Sequence, residues 1–194
     1  MRTFVRFQSE RGGFMFEGTS VAFKILYFLT AMCPAYLIFL LQLNTGNDRY
    51  INYSLMIITV LIEFLLGLLL LHLVKDRKNK GVIKKEIIDI SNKNGDIITY
   101  IFGVIVPSVL QTNSNGLTEY IIVFLVVQIT SYITIMKSTS ILPNIVLLLM
   151  GVNIYLLSSG IYVLSLEKEI YNTKEKVPFT RLGDDNRNNV YIIF

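Results

Sequence analysis

The chain reads as an all-α integral membrane protein: four transmembrane helices, one short re-entrant or interfacial segment, and small β-like termini on the cytoplasmic side. Three observations predict this class. The 194 residues are 53% hydrophobic, with a mean hydropathy of +0.55. The apolar residues gather into long blocks: 25–43 carries no charge, 53–74 carries only Glu63, and 120–136 and 141–166 carry none. Seven basic residues, Lys75, Arg77, Lys78, Lys80, Lys84, Lys85 and Lys93, fall in one loop, 75–96, between two such blocks. A spanning helix needs about 20 apolar residues, whereas buried helices of soluble domains are usually shorter. Basic loops stay in the cytoplasm, so this loop orients the chain.

The N-terminal arm, 1–20, is not helical by pattern. Thr3, Val5 and Phe7 alternate with Phe4, Arg6 and Gln8 as in a strand, and Arg11-Gly12-Gly13 is a turn signal. The first apolar run starts too late and is too long for a signal peptide. Its cysteine, Cys33, is the only one in the chain, forms no internal disulfide, and reads as a buried apolar side chain. Lys24 begins this span and reaches back to the headgroups.

Glu63 sits at the middle of the second span. An ionised carboxylate at that depth costs several kcal/mol, so it faces the bundle interior or a cavity. Three readings stay open: a protonated carboxyl bonding across helices, a lining group of an ion or proton path, or a trigger that changes state. Its candidate partners are Gln128, Thr130, Ser131 and Thr134 in the third span and Asn153 in the fourth. His72, near the end of the same helix, suits the helix dipole.

In the basic loop, Ile83, Ile87 and Ile90 fall on one face at helical spacing. This predicts a short amphipathic helix on the inner membrane surface, with the lysines against anionic lipid. A loop this short builds no nucleic-acid surface alone, and no direct nucleic-acid contact is expected.

The run 97–111 makes a helix of about 22 Å, short of a hydrocarbon core about 30 Å thick. It contains Gly103 and Pro107 and ends in a polar stretch, 112–116. It enters and turns back, or lies flat. A re-entrant segment must be sheltered by protein, which points to an oligomer. Charge favours four spans with both termini cytoplasmic. The tail 167–194, with Lys168, Lys174, Lys176, Arg181 and Arg187, then joins the basic loop and arm inside, and only Arg49 and Lys137 lie outside.

Gly67, Gly151, Ser158, Ser159 and Gly160 mark places where helices approach closely. The last residues, 190–194, are apolar and strand-like. They pair within a small cytoplasmic sheet or add to a partner's sheet edge.

No enzyme signature appears. One histidine and one cysteine are too few for a metal site of those ligands, and neither a Gly-x-x-x-x-Gly-Lys phosphate loop nor a Gly-x-Ser-x-Gly elbow is present. No enzyme activity and no cofactor are expected.

One segment carries a resemblance: Asn92-Lys-Asn-Gly-Asp-Ile-Ile-Thr-Tyr-Ile-Phe-Gly-Val-Ile-Val-Pro107. A polar opening with Asn94 and Asp96, then Tyr100, Gly103 and a late Pro107, follows a basic loop in a small multi-span chain. This is similar to the KwaA family, the membrane subunit of the bacterial antiphage system Kiwa. The layout matches over most of the chain, the motif only over 92–107. The resemblance implies an inner-membrane homo-oligomer, a tetramer, that registers phage attachment or envelope disturbance. It also implies recruitment of a cytoplasmic DNA-binding effector similar to KwaB. Carried onto this chain, the docking face would be the arm, the loop 75–96 and the tail 165–194. Glu63 and 97–111 would be the candidates for a state change. Two other classes compete. A small oligomeric ion channel or transporter would line its pore with Glu63, Gln128 and Asn153. A scaffold without a state change would use only its cytoplasmic tails.

Overall fold

The first apolar run breaks in two: α1 (Val21–Ala31) and α2 (Cys33–Gln42) are bent by 48°. Pro34 is the cause. It has no N–H, so the Thr30 carbonyl loses its i+4 donor and the ladder is interrupted. The backbone restarts within a residue: the Met32 carbonyl accepts from Ala35 N at 2.8 Å and Tyr36 N at 3.2 Å. Ser20 caps α1, its Oγ accepting from Phe23 N at 3.2 Å. The computed structural model describes residues 16–42, 49–76, 82–87, 90–94, 96, 117–138, 140–157, 160–166, 173–183 and 190–193.

The second run is α3 (Arg49–Lys75), which returns along α1 and α2. The third is α4 (Leu117–Met136). Ring contacts set its direction. Tyr132 meets Phe28 at 5.2 Å, and Phe124 meets Tyr36 at 6.2 Å and stacks on Phe39 at 4.0 Å. So α4 runs antiparallel to α1–α2 and in the same direction as α3.

The expected fourth span is not a helix. After Pro143, Asn144 caps a five-residue helix, α5 (Ile145–Leu149), its Oδ1 accepting from Leu147 N at 3.0 Å. Gly151, at φ 83°, then turns the chain into β3 (Asn153–Leu157) and β4 (Tyr162–Ser165). The basic loop is not an amphipathic helix either. It forms β1 (Val82–Ile87) and β2 (Ile90–Asn92), and the tail supplies β5 (Thr173–Arg181) and β6 (Val190–Ile193). The protein is therefore mixed α/β, and the expectation of an all-α chain with four spans is wrong. Within the described residues α3 is long and apolar enough to cross a membrane, and the bent pair α1–α2 qualifies only if counted as one span.

The sheet order is β1-β5-β6-β4-β3-β2, antiparallel throughout except for the parallel pair β4–β6. Strands β1 and β2 lie at opposite edges and run the same way, yet only residues 88–89 separate them. Ile87 and Ile90 are thus at most about 11 Å apart along the chain. The edges of a flat six-stranded sheet would be about 24 Å apart. The sheet must curl until its edges nearly meet. β1 and β2, consecutive along the chain, together serve as one strand at both edges, and near the end of β1 the register slips by two residues of β5, Glu86 facing Lys176 and Ile87 facing Thr173. Counting that strand as the first, the order around the barrel is 1-2-3-5-4-1. This is the order of an OB-type five-stranded Greek-key barrel.

Side chains alternate between two cores. Ile87, Tyr155, Val163, Phe179, Tyr191 and Ile193 fill the barrel. Ile154, Tyr162, Leu164, Val190 and Ile192 point out and pack on Phe23, Tyr27, Leu70, Val74 and Leu147 of the helices. Strands buried on both faces read as continuous apolar runs, which is why 141–166 resembles a span. Ile83 and Ile87 are four residues apart, a spacing that a strand of period two satisfies as well as a helix does. The strand-like C-terminal run does form a strand, β6, between β4 and β5. The N-terminal residues 1–15 lie outside those described.

Candidate functional site

Two helices carry a buried polar side chain to the break in α1–α2. Glu63 of α3 is 5% exposed and Gln128 of α4 is 8% exposed. Glu63 Oε2 and both amide atoms of Gln128 have no hydrogen-bond partner among the described residues. Glu63 lies close enough to the Cys33 thiol and the Tyr36 hydroxyl to act on both electrostatically. Gln128 is one turn from each of the rings that touch Phe28 and Tyr36, which places it level with Met32. Both groups therefore flank residues 32–36, where α1 gives way to α2. An unpartnered buried polar group costs about 1–3 kcal/mol, so two beside one helix break point to a functional rather than a packing role.

The break is tied to the rest of the molecule through Asn144. Its Nδ2 donates to Thr30 Oγ1 at 2.7 Å and to the Tyr27 carbonyl at 3.1 Å. Tyr27 donates its hydroxyl to the Leu142 carbonyl at 2.6 Å. Gly67 of α3 admits α5 closely: a Cβ there would stand 2.6 Å from Val146 Cγ1 and 2.7 Å from Met150 Cε.

The other residues marked by sequence fall elsewhere. Ser131 is half-buried on α4. Thr130 and Thr134 each donate to a carbonyl of their own helix, at 2.9 Å. Asn153 belongs to the barrel, with Asn94: Asn94 Nδ2 donates to Asn153 Oδ1 at 2.7 Å, and Asn94 Oδ1 accepts from Ile154 N at 3.0 Å. A pore lined jointly by Glu63, Gln128 and Asn153 is not what the fold assembles. Asp96 pairs with Lys93 at 3.3 Å on the surface. Lys75 ends α3, and Lys84 is exposed on β1. Lys85 is also in β1. Arg77, Lys78, Lys80, Tyr100, Gly103 and Pro107 lie outside the described residues, as does all of 97–111. Lys137 follows α4 at its barrel end, not at the remote end expected for an external loop.

Sequence reasoning passed over Pro34, Tyr36 and Asn144. The signal for the first was present, since a proline inside an otherwise helical run ends or kinks the helix. Among the described residues no group of three or more His, Cys, Asp or Glu side chains is placed to hold a metal ion.

No curated protein and no solved structure matches the chain. The family model described as anti-phage protein KwaA matches residues 23–192, which includes both flanks of the helix break, strands β1 to β5 and all but the last residue of β6. The chain therefore belongs to the KwaA family of anti-phage defence proteins.

Proposed function

We propose that the protein is the membrane-embedded sensor and anchor subunit of an anti-phage defence complex. Its helices lie in the bacterial cytoplasmic membrane as a homo-oligomer, and its barrel recruits a cytoplasmic DNA-binding effector. One observation carries the membrane part: only 17% of the apolar window of α3, within Tyr53–Lys75, is buried. Ile57, Leu61, Phe64, Leu65 and Leu69 are each at least half exposed, and Val126 and Ile129 on α4 are similar. The core helix of a soluble domain buries such residues, and an apolar surface this extensive is stable only against lipid or protein.

Charge supports the orientation. Lys75, Lys84, Lys93 and Lys137 lie at the barrel end of α3 and α4, while Arg49 opens α3 at the remote end. The positive-inside rule then puts the barrel in the cytoplasm. The outer face of β3 and β4, where barrels of this type hold nucleic acid, is packed on the helices. This supports a chain that holds a DNA-binding partner rather than contacting DNA itself.

The test combines phage plating with fractionation. Cells carry the gene with its neighbour, then each gene alone. Protection requiring both genes, with the chain retained in membranes after an alkaline carbonate wash and the neighbour's product co-purifying through the barrel, supports the reading. Release of the chain by the wash refutes the membrane part. Full protection by this gene alone refutes effector recruitment.

A further inference from the structure

We infer that the break between α1 and α2 is a binding site for one small monovalent cation, held by oxygen atoms of Glu63, Gln128 and the Thr30 carbonyl. The inference rests on the membrane placement proposed for the helices. Glu63 and Gln128 are both more than nine-tenths buried, and Glu63 Oε2 and both amide atoms of Gln128 lack partners among the described residues. They arrive on two different helices at the same height, where a third helix is interrupted.

The interruption supplies the third ligand. The hydroxyl of Thr30 is already committed: it donates to the Leu26 carbonyl at 2.8 Å and accepts from Asn144. Its carbonyl points along the helix toward Pro34, which has no N–H to offer. Freed carbonyls of a discontinuous membrane helix are suited to coordinate a cation, and they do so where an intramembrane carboxylate stands opposite.

Charge selects the class of ion. One carboxylate balances one positive charge. A divalent ion would leave a net charge in a low-dielectric environment, at a cost of several kcal/mol. The donors are a carboxylate, an amide carbonyl and a peptide carbonyl, which suit a hard cation such as Na+ or K+. The break is held to the barrel side through Thr30, Asn144 and Tyr27, so occupancy at Glu63 has a direct covalent and hydrogen-bonded route to β3.

The experiment uses the full chain in lipid nanodiscs. Melting is followed in choline, sodium and potassium chloride at equal ionic strength and at two pH values, and radioactive sodium is bound by equilibrium dialysis. An ion at about ten times its Kd raises the midpoint by about 3–6 °C. Glu63→Gln removes that rise, and the wild-type chain retains one ion per subunit. Equal melting in all three salts overturns the site. So does a midpoint that follows pH alone, because the carboxyl then holds a proton. If Glu63→Gln does not fold, Gln128→Leu replaces it, and dialysis on the wild-type chain still decides. Carbonate extraction reports separately on the membrane reading, so the two failures are distinguishable.

Discussion

Asn94 and Asn153 hold each other where β2 ends beside the start of β3, Nδ2 to Oδ1 at 2.7 Å, while Asn94 Oδ1 takes the Ile154 amide at 3.0 Å. Asn94 thus extends the β2–β3 ladder by one side-chain rung just where the chain leaves β2. The residues are 59 positions apart. Both α4 and α5 lie between them along the chain.

Asn94→Leu is expected to cost about 1–3 kcal/mol, because the Ile154 amide and Asn153 Oδ1 both lose an acceptor or donor in a half-buried place. A double-mutant cycle with Asn153→Leu checks it. Coupling of about 0.5–3 kcal/mol is expected, and additive single effects would show that the pair does not act as a unit.

Asn144→Ala removes three hydrogen bonds at once: two to α1 and the cap of α5. The expected loss is about 2–4 kcal/mol, combining a lost cap with unsatisfied buried groups. Thermal melting of the purified chain measures it. A change below about 0.5 kcal/mol would contradict the role of Asn144 in joining α5 to the helix break.

Gly67→Val drives a branched side chain into Val146 and Met150, where even a Cβ stands at 2.6 and 2.7 Å. Met150 is flexible and can move, but Val146 is stiff at χ1. The expected cost is about 1–3 kcal/mol. Gly67→Ala should be milder, and the order of the two midpoints is the check.

Phe179→Ala empties the centre of the barrel, where Phe179 is 1% exposed and meets Tyr191 edge-on at 6.4 Å. A loss of about 3–5 kcal/mol is expected. The helices bury a different set of residues, so the proposed function predicts a variant that stays in the membrane fraction while losing protection and effector co-purification. Normal protection at normal expression would remove the barrel from the function.

The sequence and the structure part company at particular residues. The helices of 53–74 and 120–136 were legible because each is an uninterrupted run of helical length, mostly apolar, with Glu63 and Gln128 near the two middles. Those two polar residues, Glu63 and Gln128, are the buried, unpartnered groups of the candidate site. Pro34 was equally legible in principle, yet its meaning depends on the neighbours that fill the bend. The barrel was not legible. Its strands β3 and β4 are apolar on both faces, because one face fills the barrel and the other meets the helices, so the alternation that identifies a half-exposed strand is missing. Ile83 and Ile87 fit either period, and Ile90 joins them in one core only once pairing with β5 and β3 exists.

Sequence alone determined the apolar segments, the clustering of positive charge around 75–96, the strand at 190–193 and the isolation of Glu63 within its helix. These depend on composition and local order. Tertiary structure decided that the basic loop is the strand closing a barrel, that 141–166 is a helix turn and a hairpin, and that Asn153 pairs with Asn94 rather than with Glu63. The reason is physical: pairing, register and burial on two faces are set by partners far along the chain, and one segment's pattern does not contain them.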